Sequence, residues 1–429
     1  MTTKLKTYPH YKSSGIDWLR EIPNHWELTK GKWSCSFIYG FPADSRLFIK
    51  ENIGLPLIRI RDINSEDTEV YYTGNDYPQD SLIAQGDVLI GMDGDFNIAK
   101  WRGPKAILNQ RICKYDETNS ELNKNYIFFL MPLILSDINM TKYATTVKHL
   151  SSGDLSDMIL PIPPIEEQEA IAGYLDEMTG KIDALMSEKR AQVEDLRKYR
   201  NSLITETVTR GLNPNVPIKH TNSEWFPNIP TNWSIEKFKY QATVKANLVH
   251  PTDYTQLPQI SPDSIEKNTG RLLGYKSVEE AGIISDNHLF YKGQIIYSKI
   301  RPNLNKVIIA PFDGLCSADM YPIETLNNVR YFQYLMLSNP FVSQVSVVIQ
   351  DRVKMPKINQ VELGEILILV PPVAEQQQIA DYLDEKTSKI DALIKELEAQ
   401  LSDLATYKQA VITEAVTGKV DVRDWTPKN

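Results

Sequence analysis

The sequence predicts an α+β chain: two similar mixed α/β modules, each followed by a long helix, with pseudo-two-fold character. Three observations predict it. The 47 residues from Pro163 to Thr209 recur without a gap at Pro371 to Thr417, 208 residues later, with 27 identities. A tryptophan frame, Trp18-x3-Ile22-Pro23-x2-Trp26, returns 207 residues on as Trp225-x3-Ile229-Pro230-x2-Trp233. Gly86-Asp87-Val88-Leu89-Ile90 is echoed by Gly293-Gln294-Ile295-Ile296-Tyr297 at the same spacing. Self-similarity at a fixed period marks a chain built from copies of one unit. A period near 208 residues is too long for a solenoid and suits a domain plus a helix. Such a chain behaves as a covalently joined dimer.

The repeat divides the chain into residues 1–160, a first module; 161–211, a first long helix; 212–370, a second module; and 371–429, a second long helix with a tail. Within the modules the stretches from about Lys30 to Leu160 and Lys237 to Val370 have diverged. The frame is duplicated and the inserts are not. That pattern suits a scaffold holding two recognition modules of different specificity.

Taken in order, the first insert opens with Leu55 to Ile63, where apolar and charged residues alternate. The alternation predicts a half-buried strand presenting Arg59 and Arg61 on one face. Gly86 to Gly91 and Gly293 to Lys299 read as buried strands leading into loops, Asp93 to Asn97 and Ile300 to Lys306. Asn125 to Leu130 and Arg330 to Leu335 read as core helices. Ser338-Asn339-Pro340-Phe341 reads as a helix end.

The long segments show apolar heptads. Leu175, Ile182, Leu196 and Leu203 take position a, with Ile171, Met178, Leu185 and Tyr199 at d. The second copy places Leu383, Ile390, Leu397, Leu404 and Val411 at a, with Ile379, Leu393 and Tyr407 at d. Lys189, Lys386, Gln192 and Gln400 interrupt this seam. Sustained a/d heptads predict a coiled coil, and two such helices in one chain most economically pack on each other. The alternative is that each packs on its own module. Pro-Pro pairs bar extension upstream, and Gly211 and Gly418 mark the ends.

The 429-residue chain is long enough for two or three domains with proper cores. Its 42% apolar and 24% charged residues are ordinary for a globular protein. The longest apolar run, Tyr126 to Leu135, is too short to span a bilayer. The N-terminus, MTTKLKTYPHYKSSG, has no apolar core that could serve as a signal peptide. Three scattered cysteines suggest neither a zinc cluster nor a disulfide framework, so an intracellular, reducing setting is expected.

A net charge of −8 argues mildly against nucleic acid. Its distribution weakens the objection. Residues 1–160 carry 18 Lys/Arg against 20 Asp/Glu, and 212–370 carry 15 against 14. Most of the deficit lies in the helical stretches, with 7 against 10 and 7 against 11. No phosphate-binding loop or G-x-G-x-x-G occurs, and the histidines lack metal-ligand spacing. Asp93 and Asp95 read as a solvated turn. Nothing assembles an active site.

The duplicated frame P-P-x-x-E-Q-x-x-I-A-x-Y-L-D-E-x-T-x-K-I-D-A-L resembles the conserved regions of type I restriction–modification specificity subunits. The tryptophan frame at Trp18 and Trp225, and the handover Thr209-Arg210-Gly211-Leu212-Asn213-Pro214, match that family as well. The resemblance covers essentially the whole chain, with small departures at Gly180, Ser388 and Lys386. It implies two target recognition domains, each reading one half of a bipartite site in double-stranded DNA. It further implies an antiparallel coiled coil that spaces them and docks two methyltransferase (modification) subunits, with restriction/translocase subunits completing the enzyme. The chain itself would be non-catalytic and hold no cofactor or metal. S-adenosylmethionine, ATP and magnesium would sit on the partners, directing adenine methylation and restriction in the cytoplasm, away from any membrane.

Base edges in the major groove carry sequence, and phosphates carry affinity. Basic and amide residues in the divergent inserts are therefore the DNA-binding candidates. In the first module these are Arg59, Arg61, Lys100, Arg102, Lys105 and Lys148. In the second they are Lys299, Arg301, Asn303, Lys306, Arg352 and Lys354. The seam candidates are Leu175, Ile182, Leu185, Leu196, Tyr199, Leu383, Ile390, Leu393, Leu404 and Tyr407. Two other readings stay open at this point, a complete enzyme with an unrecognised site and a coiled-coil adaptor without a DNA role. A separate specificity subunit serving a fused methyltransferase–nuclease is a variant of the first reading.

Overall fold

The computed structural model describes residues 6–142, 148–352, 354 and 356–426; residues 1–5 of the polar N-terminus lie outside the described residues. The chain divides into two compact units, residues 1–188 with 400–429, and residues 189–399.

In the first unit a four-stranded antiparallel sheet runs in the order Ile98–Lys100, Val88–Gly91, Ile112–Tyr115, Phe37–Tyr39. Side chains along a strand alternate between faces, and here both faces are covered. Val88, Ile90 and Cys113 join the core formed with helix Lys124–Lys142, whereas Leu89, Ala99 and Ile112 join a separate core. That second core is shared with a five-stranded sheet ordered Phe48–Ile49, Tyr71–Tyr72, Leu55–Ile58, Ala106–Leu108, Leu82–Ile83. Its central pair, Leu55–Ile58 with Ala106–Leu108, is parallel.

The second unit repeats the plan. Its four-stranded sheet is ordered Ala242–Val244, Met320–Thr325, Ile295–Ser298, Val307–Ile309. Ile295 and Tyr297 face the helix-side core and Ile296 the other, so the buried run predicted around residue 295 is buried on both faces. The five-stranded sheet is ordered Leu248–Val249, Asn287–Phe290, Gly314–Cys316, Pro258–Ile260, Lys276–Ser277. Four strands correspond between the modules. The fifth lies on opposite edges, beside Tyr71–Tyr72 in the first and beside Asn287–Phe290 in the second.

The duplicated segments are helices at Ile165–Arg210 and Val373–Val416, each beginning just after its Pro-Pro pair. Each ends at a glycine with left-handed backbone, Gly211 (φ +77°) and Gly418 (φ +69°). A Cβ on Gly418 would stand 2.3 Å from the Pro23 ring, and one on Gly211 would stand 3.2 Å from Trp233. The helix ends therefore need glycine for dihedral and for space.

The repeated Gln of each frame ties helix to module. Gln168 Oε1 accepts the Asn123 amide N–H at 2.8 Å while its Nε2 donates to the Pro163 carbonyl at 2.9 Å. Gln376 accepts the Asn328 N–H and donates to the Pro371 carbonyl at the same two distances. Asn123 and Asn328 in turn accept from the first amides of the core helices that follow them. Each glutamine thus secures a helix N-terminus that would otherwise present unsatisfied donors.

Inside each unit the two long helices run antiparallel. In the first, Lys408 Nζ meets Asp183 Oδ1 at 2.7 Å, and Ile171 and Leu175 share a core with Val411, Ala415 and Val416. In the second, Arg197 pairs with Glu398 at 2.8 Å and Arg200 with Asp391 at 2.9 Å. Lys408 and Arg200 are repeat counterparts, as are Asp183 and Asp391.

The seam departs from the heptad expectation. Leu175, Ile182, Leu383 and Ile390 are buried, and Leu196 and Leu404 are half-buried. Leu185 (41% exposed), Tyr199 (58%), Leu393 (51%) and Tyr407 (47%) face outward. The covered stripe instead runs Ile171, Leu175, Met178, Ile182, Met186, Lys189, Val193, Leu196, Arg200, Ile204, Val208. It spans 37 residues in ten steps, or 3.7 residues per turn. A strict 3.5-residue repeat drifts off such a stripe within two heptads, which carries the later d positions to the surface.

Candidate nucleic-acid interface

In both modules the second strand of the four-stranded sheet runs into a loop that pairs with a segment arriving from the C-terminal side. In the first module Asp93 bridges His149, and the Leu150 N–H donates to the Met92 carbonyl at 2.7 Å. In the second, Ile300 bridges Lys357, the Arg301 N–H donates to the Pro356 carbonyl at 2.8 Å and the Ile358 N–H to the Lys299 carbonyl at 3.0 Å. Each pairing makes a two-segment tongue at matching repeat positions.

The tongues have unusual backbone. Phe96 (φ +52°) is buried and anchors the first loop in the module core. Arg301 (φ +43°) and Asn305 (φ +45°) flank the short turn Pro302–Leu304 in the second. Non-glycine residues rarely adopt these dihedrals and concentrate at functional sites.

The tongues carry different charges on the same frame. His149 Nδ1 lies 2.7 Å from Asp93 Oδ1, with the Arg111 guanidinium 3.6 Å from that carboxylate, and Lys148 pairs with Asp95 at 3.1 Å. In the second module Lys357, the counterpart of His149, meets Asp319 at 3.1 Å. Asp319 is the counterpart of Arg111. The acid that steadies the tongue comes from the loop in one module and from the neighbouring strand's start in the other. Around the second tongue stand Lys299, Arg301, Arg352, Lys354 and Lys357. Lys299 Nζ lies 5.3 Å from the Tyr321 ring centre. Arg352 bonds both oxygens of Glu362 and holds that carboxyl below the usual range.

The structure brings Lys148 to the first tongue, and Lys299, Arg301, Asn303, Arg352 and Lys354 to or beside the second. Arg301, Asn303 and Lys354 are exposed. Lys306 turns inward, 16% exposed, donating to the Pro262 carbonyl at 2.7 Å with Asp263 at 3.5 Å. Arg59 does not lie on a strand face. The strand stops at Ile58, and a 3-10 turn over Ile60–Asp62 follows because Asp62 accepts the Arg59 N–H (3.1 Å) and its Nε–H (2.8 Å). Arg61 on that turn is exposed, as is Lys105. Arg102 leans on the Asn64 carbonyl at 3.2 Å and Glu66 at 3.8 Å. Lys100 points elsewhere, covering Phe128 (4.8 Å) and pairing with Asp176 on the long helix (3.3 Å). The sequence candidates did not include Arg111, His149 and Lys357, which the structure places at the tongues. The signal that finds them is the 207–208-residue spacing applied to the loops rather than to the frames alone.

Among the described residues no helix is long and apolar enough to cross a membrane. The family model for the type I restriction modification DNA specificity domain matches residues 42–195 and 236–403. The specificity subunit of the type I restriction enzyme EcoDI of Escherichia coli is 30% identical over 357 residues, 80% of this chain and 79% of that protein. The EcoBI specificity subunit of the same organism is 25% identical over 436 residues, 96% of this chain and 90% of its own length. One solved structure, described as the structural basis underlying complex assembly and conformational transition of the type I R-M system, contains a chain with a TM-score of 0.66. It is 13% identical and covers 92% of this chain and 98% of that one, a likeness of fold.

Proposed function

This chain belongs to the type I restriction–modification DNA specificity family, and from that premise we propose how its parts divide the work. It is the non-catalytic subunit that recognises a DNA sequence and assembles with modification and restriction subunits. Each module reads one half of a bipartite site through its tongue. Lys148, Arg111 and His149 serve the first half-site, and Lys299, Arg301, Asn303, Lys354 and Lys357 the second. The paired helices set the distance between the half-sites and carry the modification subunits, and the assembly works in the cytoplasm.

One observation carries this reading. The two tongues occupy matching positions on a duplicated frame and differ in which residues they present. A frame that is held while its tips change is what separate readout of two unlike half-sites requires. Exposed arginines and lysines beside a rigid turn can neutralise phosphates and fork onto guanine edges.

The test is a module exchange. Residues 30–160 are replaced by the matching region of a relative, the complex is reconstituted with its modification subunits, and methylated adenines are mapped genome-wide. One half of the recognised sequence should change and the other should stay. A change in both halves from a folded, active complex would overturn independent readout.

A further inference from the structure

A second feature is duplicated in kind, though less strictly than the frames, and lies on the surface. Just after the strand that leads out of each tryptophan frame, a single helical turn carries the pattern Lys-x-Lys-aromatic. It is Lys30-Gly31-Lys32-Trp33 in the first module and Lys237-Phe238-Lys239-Tyr240 in the second, 207 residues apart. Trp33 is 70% exposed and Tyr240 61%. In each, the second lysine sits over the ring, with Nζ 4.9 Å from the Trp33 centre and 5.4 Å from that of Tyr240. In each, the first lysine pairs with an acid at the same repeat position: Lys30 with Asp157 at 3.8 Å, and Lys237 with Glu365 at 2.5 Å. Other apolar side chains on nearby elements are exposed as well, Leu28 and Ile159 (the strand partner of Lys30) in one module and Val361 in the other.

The fold does not ask for these aromatics. A side chain more than half exposed contributes little to its own core, and large rings at the surface are enriched where another molecule covers them. Their duplication also limits the occupant. On the reading above the tongues differ because the two half-sites differ; a patch that keeps its chemistry in both modules meets something alike at both. Two candidates are identical there, the DNA backbone and a protein partner present in two copies. The charges favour the protein. Glu365 takes hydrogen bonds from Lys237 and Lys239, Asp157 faces Lys30, and Lys32 lies over its own indole. The carboxylates would repel phosphate, and the lysines are engaged already. An apolar ring rimmed by an ion pair is the make-up of a protein–protein contact with a dry centre and a polar rim.

We propose that the surface turns at Trp33 and Tyr240 are paired docking points, one per module, that complete the helices' hold on the two copies of the modification subunit, which the helices alone grip too weakly at working concentrations. This rests on the function stated above. The partner surface should offer an apolar pocket with an acidic or amide edge to receive the ring and its lysine.

The experiment uses the full chain and its modification subunit, with Trp33→Glu, Tyr240→Glu and the double variant. Bound copies are counted by native mass spectrometry, and DNA binding by the free chain is followed in parallel. The intact chain should carry two copies, each single variant one with the second weakened roughly thirtyfold or more, as for a central aromatic anchor. The double variant should carry none at the same concentrations, while DNA binding by the free chain and the thermal midpoint stay unchanged. Trp33→Tyr and Tyr240→Trp, which keep a ring, should retain two copies. Two copies on the double variant would overturn the proposal. So would weakened DNA binding with normal stoichiometry, which would assign the turns to phosphate instead. An intact chain that takes up no modification subunit would overturn the function itself, and this inference with it.

Discussion

The indole Nε1–H of Trp26 donates to Glu167 Oε1 at 2.9 Å across 141 residues of sequence, and that of Trp233 donates to Glu375 Oε2 at 3.0 Å across 142. The two most conspicuous motifs of the chain, the tryptophan frame and P-P-x-x-E-Q, are therefore the two halves of one contact. Both indoles are fully buried. The glutamates differ in company. Glu167 is 4% exposed and also bonds Tyr8 and His25, whereas Glu375 is only partly buried and also accepts from Asn232, at 3.3 Å.

Trp26→Phe should destabilise the first unit by about 1–3 kcal/mol, because a buried acceptor with charge loses a donor. Trp233→Phe should cost less, since water can replace the indole at Glu375. Thermal unfolding of the two variants checks this, at roughly 2–4 °C per kcal/mol for units of this size. Equal shifts would refute the difference in burial.

The seam makes a second prediction. Ile390→Ala removes a side chain from the cluster of Val193, Ile390 and Ile394 and should cost about 2–5 kcal/mol. Leu393→Ala, three residues away and outward-facing, should stay within about 0.5 kcal/mol in the free chain. Denaturant unfolding separates the two. A costly Leu393→Ala would restore the heptad register.

Arg301 and Lys306 should separate function from fold. Arg301→Ala should lower the slope of log affinity against log salt by about one unit if the lost contact is to phosphate. If it is a bidentate base contact, the loss is about 1–3 kcal/mol on the cognate site only. Lys306→Ala should instead reduce stability, because it removes the donor to Pro262 and the partner of Asp263. Binding titrations at several salt concentrations, beside melting curves, tell the two apart; identical behaviour of the variants would sink the distinction.

Glu365 offers a pH signature. Hydrogen bonds from Lys237 and then Lys239 push its carboxyl down to about 2. A pKa depressed in the folded state contributes stability above the unfolded value, about 4.3, and that contribution fades as pH falls from there through 2. In a carbon-13 titration Glu365 should still be ionised at pH 3, and Lys237→Ala with Lys239→Ala should move its midpoint up toward the unfolded value. A midpoint near 4 in the unaltered chain would contradict the pairing.

The parts legible in the sequence are those where burial or backbone geometry forces residue type at a fixed spacing. Trp26, Gln168, Gly211 and their counterparts each satisfy a local demand that few residues can meet, so duplication preserved them visibly. The sheets were legible only in part. Leu55 to Ile63 alternates like a strand, yet Asp62 captures the Arg59 amide and ends it five residues early. Such a side-chain-to-backbone bond competes with the ladder without altering the hydropathy pattern. The seam failed at Leu185 and Tyr199 because a 3.5-residue template was laid on a 3.7-residue stripe. The tongues were the least legible. Asp93 and Asp319 do the same job from different segments, and only the fold shows that their partners, His149 and Lys357, correspond.

The division of the chain has a consequence for how the protein is made. The second unit is one continuous stretch, residues 189–399, but the first is completed by residues 400–429. Val411, Ala415, Val416 and Val422 belong to the first unit's core, and Gly418 seats against Pro23 and Trp26. On a ribosome the module encoded first must therefore close last. Its core waits, with Ile171 and Leu175 uncovered, for the whole second unit and then for residues 400–429, roughly 12–48 s of synthesis at 5–20 residues per second. Any event that cuts translation short near residue 400 leaves the later half free to close and the earlier half with an open apolar face, a product apt to aggregate rather than a working half-subunit.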